Sequence, residues 1–141
     1  MDYVKMKNRY AVRLDPEDEI TESVRAVCEK EQIKAAEIRG LGAVKSFEIG
    51  LYDLNQQKFL PSSFNEPGEI VSLWGDVGEM NGKIYHHIHM ACGLSDSRVV
   101  GGHLISAVIS ATAELIIDPL DGTLDHRVNP NTGLNEWNLK H

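Results

Sequence analysis

The stretch Gly68–Leu94, GEIVSLWGDVGEMNGKIYHHIHMACGL, decides the fold. Its Asn81-Gly82 pair lies between two runs, residues 69–79 and 84–94, that are rich in strand-forming side chains. Asn-Gly readily adopts the two positive-φ positions of a type I′ turn. The stretch therefore predicts an antiparallel hairpin with a two-residue loop.

The register of this hairpin predicts which side chains meet across it. Counting back from the loop without a bulge places Asp76 opposite His87 and Trp74 opposite His89. Cross-strand partners share a face of a sheet. Asp76 and Trp74 are therefore expected to line any site that the two histidines form, with Asp76 orienting an imidazole or serving as a further ligand.

One amphipathic helix is predicted before the hairpin. Asp15 is a suitable N-cap, Pro16 suits the first helical position, and the acids that follow favour the positive end of the helix dipole. The helix is expected to end near Gln32. Its buried face is predicted from apolar residues that recur at helical spacing, Ile20, Val24, Val27 and Cys28.

The remaining sequence indicates short strands and turns, with no repeat or linker. The predicted fold is α+β, a mainly antiparallel twisted sheet with one or two helices packed on it, in a single domain over residues 1–141. The core is expected at about residues 9–120, and the polar segment 121–141 is expected to be a tail that Trp137 could anchor. Besides the hairpin, strands are predicted at 9–14, 35–38, 43–53, 58–64, 99–100, 104–109 and 112–117.

The composition indicates a globular cytoplasmic protein. No stretch approaches the roughly 20 apolar residues that a membrane helix needs, and the first residues lack the apolar region of a signal peptide. Cys28 and Cys92 lie in apolar patterns without CxxC spacing, so both are expected to be reduced, buried thiols. No membrane partner is expected.

The net charge bears on nucleic-acid binding. Phosphate recognition needs a basic face, and this chain carries a formal charge of −7. The charge disfavours DNA as a partner without excluding a local basic patch.

The histidines of the hairpin form the sharpest chemical feature. Strand side chains alternate faces, so His87 and His89 project on one side and His86 on the other. Two imidazoles about 6–7 Å apart on one face can converge on one ion. His103 is the natural third ligand, because the two glycines before it permit close backbone approach. The alternative is that these are ordinary polar or hydrogen-bonded strand residues.

The other histidines and the nearby cysteine are predicted to lie elsewhere. His126 and His141 fall in the polar tail and are expected at the surface. Cys92 has an odd offset from His87 and His89, which places it on the opposite, core-facing side of the strand.

Several motifs resemble the plant- and prokaryote-conserved (PPC) domain. The similarity covers roughly residues 9–120, and the order of the motifs is specific. They are IRGLGAV at 38–44, GLYD at 50–53, GEIVSLWG at 68–75, HIH at 87–89 and RVVGGHL at 98–104.

The resemblance implies an antiparallel α+β fold that assembles as a homotrimer. In plants this domain follows an AT-hook that binds the DNA minor groove, and prokaryotic members are commonly labelled as candidate DNA-binding proteins. The Arg-Gly-Arg core of an AT-hook is absent from this sequence, which weakens the DNA-binding expectation.

The resemblance also bears on the site. Prokaryotic members keep the HxH and GGH elements, which His87, His89 and His103 match, so a divalent transition metal, zinc first, is expected there. By the same resemblance Glu69, in the EIxSL motif, and Arg98, which precedes GGH, are candidate site-lining residues, Arg98 for an anion. Both are also typical of solvent-facing positions.

Three functions remain open at this point. The first is a regulatory or DNA-associated trimer in which the metal is structural or sensory. The second is a metal-dependent enzyme with Asp76 or Glu69 as proton carrier. The third is a module that binds a small ligand, an anion or the metal itself without turnover.

Overall fold

The computed structural model describes residues 1–139, and this part of the chain contains one α-helix and nine β-strands. Seven strands form an antiparallel sheet in the order β1-β2-β7-β6-β5-β3-β4, and the last two form a small separate sheet. The α+β class with a mainly antiparallel sheet is thus confirmed. The elements are β1 (Asp2–Met6), β2 (Arg9–Leu14), α1 (Ile20–Lys30), β3 (Ala36–Asp53), β4 (Lys58–Phe64), β5 (Gly68–Met80), β6 (Lys83–Leu94), β7 (Val99–Pro119), β8 (His126–Val128) and β9 (Asn135–Trp137).

The β5–β6 hairpin has the predicted register. Asp76 pairs with His87, and Trp74 pairs with His89. The Asn-Gly loop has φ angles of 53° and 74°, as a type I′ turn requires. The one register shift in this hairpin lies between Ile70 and Ser72, nearer its open end, so it does not alter the pairs predicted by counting from the loop.

Two strands are longer than predicted. β3 joins two of the predicted segments, and β7 joins three. The glycines between the predicted segments, which suggest bends or bulges in the sequence, coincide with a register shift between Gly40 and Gly42. Both strands are paired along both edges, and a bulge lets such a strand bend without losing its partners. β1, which was not predicted, adds to the outer edge of β2.

Four strands form a closed circuit of pairings: β3 with β5, β5 with β6, β6 with β7, and β7 with β3. The β6–β7 link is short, running from the His89–His103 pair to the Gly93–Val99 pair. Beyond it β7 pairs with β3 while β6 stays with β5, so the two strands part. Helix α1 packs against both of them.

The core consists of one apolar cluster between the sheet and the helix. Along the middle of β6 the buried residues Ile88, Met90 and Cys92 alternate with His87 and His89, so one face of the strand supplies core and the other carries these two histidines. Each large apolar side chain contributes about 1.5–3 kcal/mol through burial. The largest fully buried side chains are Leu14, Ile20, Ile38, Ile88, Met90, Leu104, Ile109, Leu115 and Ile117.

The helix begins later than predicted. Its N-cap is Glu19 rather than Asp15, and the Glu19 carboxylate accepts a hydrogen bond from the Glu22 backbone N–H. Residues 17–19 are hydrogen-bonded to the backbone of β7 around Ile109. Because a segment paired with a strand is extended, the helix can start only after it. The four apolar residues predicted for its inner face are completely buried.

The C-terminal segment is more ordered than a loose tail. It contains β8 and β9, and the Leu124 carbonyl accepts a hydrogen bond from the Glu79 N–H. His126 is only 6% exposed, so the prediction that it lies at the surface is wrong. Trp137 is 46% exposed and pairs with His126 across the β8–β9 sheet. The predicted surface position of His141 lies outside the described residues.

Both cysteines are free, buried thiols. Burial raises the pKa of Cys28 to about 12 and that of Cys92 to about 11, so neither is a reactive thiolate near neutral pH. The prediction that Cys92 belongs to the core is confirmed.

Among residues 1–139 no helix is long and apolar enough to cross a membrane.

Candidate metal centre

Three imidazoles meet on one face of the sheet. His87, His89 and His103 each offer a ring nitrogen, and these three atoms lie within 4.8 Å of one another. The ring centroids are separated by 5.2 to 5.7 Å. His89 is exposed, whereas His87 and His103 are half-buried, so the cluster opens to solvent on one side.

The strand geometry explains the convergence. His87 and His89 are two residues apart on β6, and His103 on β7 is the direct cross-strand partner of His89. A Cβ on Gly101 would lie 2.9 Å from the Met90 carbonyl oxygen, and one on Gly102 would lie 2.8 Å from that of Gly50. The two glycines therefore let β7 pass close to its neighbours on both sides and deliver His103 to the cluster.

Burial favours the neutral form of His103 and His87. It is the main cause that lowers the pKa of His103 to about 4, and the neighbouring His87 and His89 lower it further. Burial also lowers the pKa of His87, against the opposing effect of the Asp76 carboxylate. Neutral imidazoles present lone pairs, so protons compete less with a metal ion for them.

Asp76 and His126 form a buried pair beside the cluster. The Asp76 side chain is 11% exposed and that of His126 is fully buried, with Nε2 of His126 3.2 Å from Oδ1 of Asp76. The distance is that of an ion pair, although the angles do not make a well-directed hydrogen bond. Asp76 thus faces His126 on one side and His87, its cross-strand partner, on the other.

His126 is the residue that the sequence analysis missed. It comes from a polar segment, and its burial depends on where that segment crosses β5, at Gly78. A Cβ on Gly78 would lie 2.7 Å from the His126 ring. No local pattern predicts such a tertiary contact, and composition alone predicted exposure.

The other predicted site residues lie at different distances from the cluster. Trp74 is opposite the exposed His89 and is itself 54% exposed, with its indole N–H donating to Glu37. Glu69 pairs with Gly93, four residues further along β6 than His89, and is exposed. Arg98 lies in the turn before β7 and pairs with Asp96. Neither Glu69 nor Arg98 is part of the cluster.

A cleft of about 320 Å³ opens beside His103, where β6 and β7 part. Residues of both strands line it, including His86 and His103, and Phe59 of β4 and Arg25 of α1 complete it. The Phe59 ring lies 4.7 Å from that of His103. A larger depression of about 750 Å³ lies on the β1–β2–β7 side and contains no histidine, so size alone does not identify the chemically distinctive site.

The residues present fit a transition metal. A tetrahedral zinc ion with Zn–N bonds of 2.0–2.1 Å needs ligand nitrogens about 3.3 Å apart, which small side-chain rotations of this cluster would supply. Nδ1 of His103 is buried without a hydrogen-bond partner in the described chain. Buried polar atoms normally have partners, and an ion would provide one.

Comparison with known proteins identifies the family of this chain. The Plants and Prokaryotes Conserved (PCC) domain matches residues 1–121. A search of curated proteins found no match. His126, which completes the buried pair, lies beyond the matched residues.

Three solved structures share the fold over nearly the whole chain. A candidate DNA-binding protein from Bacteroides thetaiotaomicron is 28% identical, with a TM-score of 0.93, covering 97% of this chain and 96% of that one. A metal-containing protein from Archaeoglobus fulgidus is 31% identical, with a TM-score of 0.85, covering 96% of each chain. A PPC protein from Pyrococcus horikoshii is 22% identical, with a TM-score of 0.86 and coverage of 99% and 95%.

The motifs of this chain, its fold and these matches all point to one family. The chain belongs to the Plants and Prokaryotes Conserved (PCC) domain family, whose name is also abbreviated PPC.

Proposed function

We propose that the protein binds a divalent transition metal, zinc first, at His87, His89 and His103, and that this centre receives a small ligand. The observation that carries the proposal is the convergence of three imidazoles, with ring nitrogens within 4.8 Å of one another, on a solvent-facing side of the sheet. The relative from Archaeoglobus fulgidus, which is described as metal-containing, supports it.

The donor set favours an exchangeable site over a closed structural one. Structural zinc sites have four protein ligands, whereas three imidazoles leave one position for a ligand. A bound ion would act as a Lewis acid toward an oxygen of that ligand. Asp76, backed by His126, would hold negative charge beside His87 and is the nearest candidate to accept a proton.

Elemental analysis of metal-free and zinc-reconstituted protein tests the proposal. Wild type is expected to hold near-stoichiometric zinc, and His89→Ala is expected to lose it. His86→Ala is the matched control, because His86 neighbours the cluster in sequence but lies outside it. Zinc absent from wild type, or retained equally by His89→Ala, would overturn the proposal.

We further propose that the chain assembles as a homotrimer in the cytoplasm. The large depression near β1, β2 and β7 supports an interface between copies, because exposed apolar Val4, Leu41 and Val71 line it beside Arg13, Arg39 and Glu114. The two reduced, buried cysteines support the compartment. Light scattering is expected to give three times the 15.7 kDa of one chain, and a monomer mass would contradict the assembly.

DNA binding is the second candidate, favoured by the description of the Bacteroides thetaiotaomicron relative. The net charge of −7 opposes it. Fluorescence anisotropy with a labelled DNA duplex tests this second candidate. DNA binding that weakens steeply with added salt would support it, and the absence of DNA binding at low salt would contradict it.

A further inference from the structure

The cleft beside His103 has a basic residue without a partner. Arg25 lines it from helix α1, and no carboxylate in residues 1–139 lies within ion-pair distance of its guanidinium. Each of the five other arginines pairs with an acid, as Arg98 does with Asp96. An unpaired guanidinium at the mouth of a cavity presents a fork of donors that matches a carboxylate.

The walls of the cleft also lack a compensating negative charge. Glu19 is the acid whose charge acts on His86, and it is engaged as the N-cap of α1 and as acceptor for the Ala107 N–H. Nδ1 of His86 is buried and has no hydrogen-bond partner in the described chain. The cleft therefore combines a cation with a ring nitrogen that has no hydrogen-bond partner in the described chain.

The rest of the lining sets the size and polarity of an occupant. Ile84, Leu104, Ile105 and the Phe59 ring give the cleft an apolar wall. Its volume of about 320 Å³ is at the small end of ligand sites, which run from about 300 to 1,000 Å³. His103 belongs both to this lining and to the metal cluster, so one molecule can contact both.

We propose that this cleft binds a small organic carboxylate, with its carboxylate held by Arg25 and a second oxygen directed toward the His87/His89/His103 centre. The inference deepens the proposed metal function and rests on it for the second contact, while the Arg25 contact stands on the cleft alone. His86 acts as a further donor to the ligand, and the apolar wall packs against its short carbon chain.

Calorimetric titration with lactate tests this assignment. Lactate carries a carboxylate and a neighbouring hydroxyl, and propane-1,2-diol is the same skeleton without the charge. Zinc-reconstituted wild type is expected to bind lactate in preference to the diol. Arg25→Gln is expected to weaken lactate binding at least about tenfold, the value of one charged hydrogen bond. Arg98 is another exposed arginine, at the far end of the β6–β7 ladder, and Arg98→Gln is the matched control that is expected to match wild type.

The metal-free protein separates this inference from the metal proposal. If zinc does not bind but lactate binding still depends on Arg25, the metal proposal fails and the cleft assignment stands. If zinc binds stoichiometrically and lactate does not bind, or binds equally to Arg25→Gln, the cleft assignment fails alone. Inorganic phosphate that binds as tightly as lactate with the same Arg25 dependence would overturn the carboxylate class. Thermal unfolding of each variant verifies that it is folded.

Discussion

The two ends of the β6–β7 ladder differ in how their polar groups are satisfied. At one end Arg98 is paired with Asp96 and Glu69 is exposed to water. At the other end, where the strands part, His103 and the nearby His86 have buried ring nitrogens without partners. Unpaired buried polar groups, which cost folding free energy, are concentrated at one end, and this is the end at which we propose the metal centre.

The largest expected effect comes from removing a histidine at the end of the β6–β7 ladder where the two strands part. His103→Ala removes one of the three proposed ligands and should lower zinc affinity by well over the hundredfold that loss of a supporting residue can cost. Competition with a chromogenic chelator measures it. Arg98→Gln at the opposite end should leave zinc affinity unchanged, and an equal loss in both variants would show that the two ends are not distinct.

The next effect concerns the carboxylate behind the cluster. Asp76→Asn removes a negative charge that favours a cation beside His87, and it leaves His126 without its acidic neighbour. Zinc affinity should fall about tenfold, within the range for residues that support ligands. Glu69→Gln, a charge loss at the other end, is the control. Unchanged zinc affinity in Asp76→Asn would separate Asp76 from the centre.

Two glycine substitutions compare the backbone at the two ends. Gly102→Ala places a Cβ 2.8 Å from the Gly50 carbonyl oxygen, whereas Gly93→Ala finds its nearest atom, on Val71, at an ordinary 3.6 Å. Gly102→Ala should lower the free energy of unfolding by about 1–3 kcal/mol, the usual cost of overpacking. Gly93→Ala should change it much less. Urea unfolding of metal-free protein measures both, and equal effects would contradict the comparison.

The smallest expected effect is a pH dependence of the metal-free protein. Because the pKa of His103 is lowered to about 4 when folded, the unfolded chain takes up this proton first as pH falls below about 6.5. His103 therefore makes stability decrease from about pH 6.5 to about pH 4, and not further below. Thermal unfolding across this range should show a shallower decrease in His103→Gln. A steeper decrease in the variant would rule out the assignment.

The sequence predicted best what depends on neighbours along the chain. The Asn-Gly loop sets the hairpin register, and the two-residue alternation of a strand puts His87 and His89 on one face. From these local rules alone the pairing of Asp76 with His87 was predicted correctly. Strand positions within the hairpin were predicted to within a residue or two for the same reason.

What the sequence did not predict depends on contacts between distant segments. Residues 17–19 pair with β7, and this contact delays the helix beyond its apparent cap at Asp15. His126 is buried because the C-terminal segment crosses Gly78. The cleft with Arg25 exists because β7 leaves β6 for β3. None of these contacts leaves a periodic or turn signal at the residues concerned.

The closed circuit of pairings has a consequence for the order of events in folding. β7 is the last of the four circuit strands to be synthesised, and its pairing with β3 spans many residues of chain, which makes closure a slow step. His103 arrives with that strand, so the three imidazoles come together only as the circuit closes. An ion held by all three would then oppose separation of β6 from β7, and would lengthen the lifetime of the folded state by slowing its unfolding.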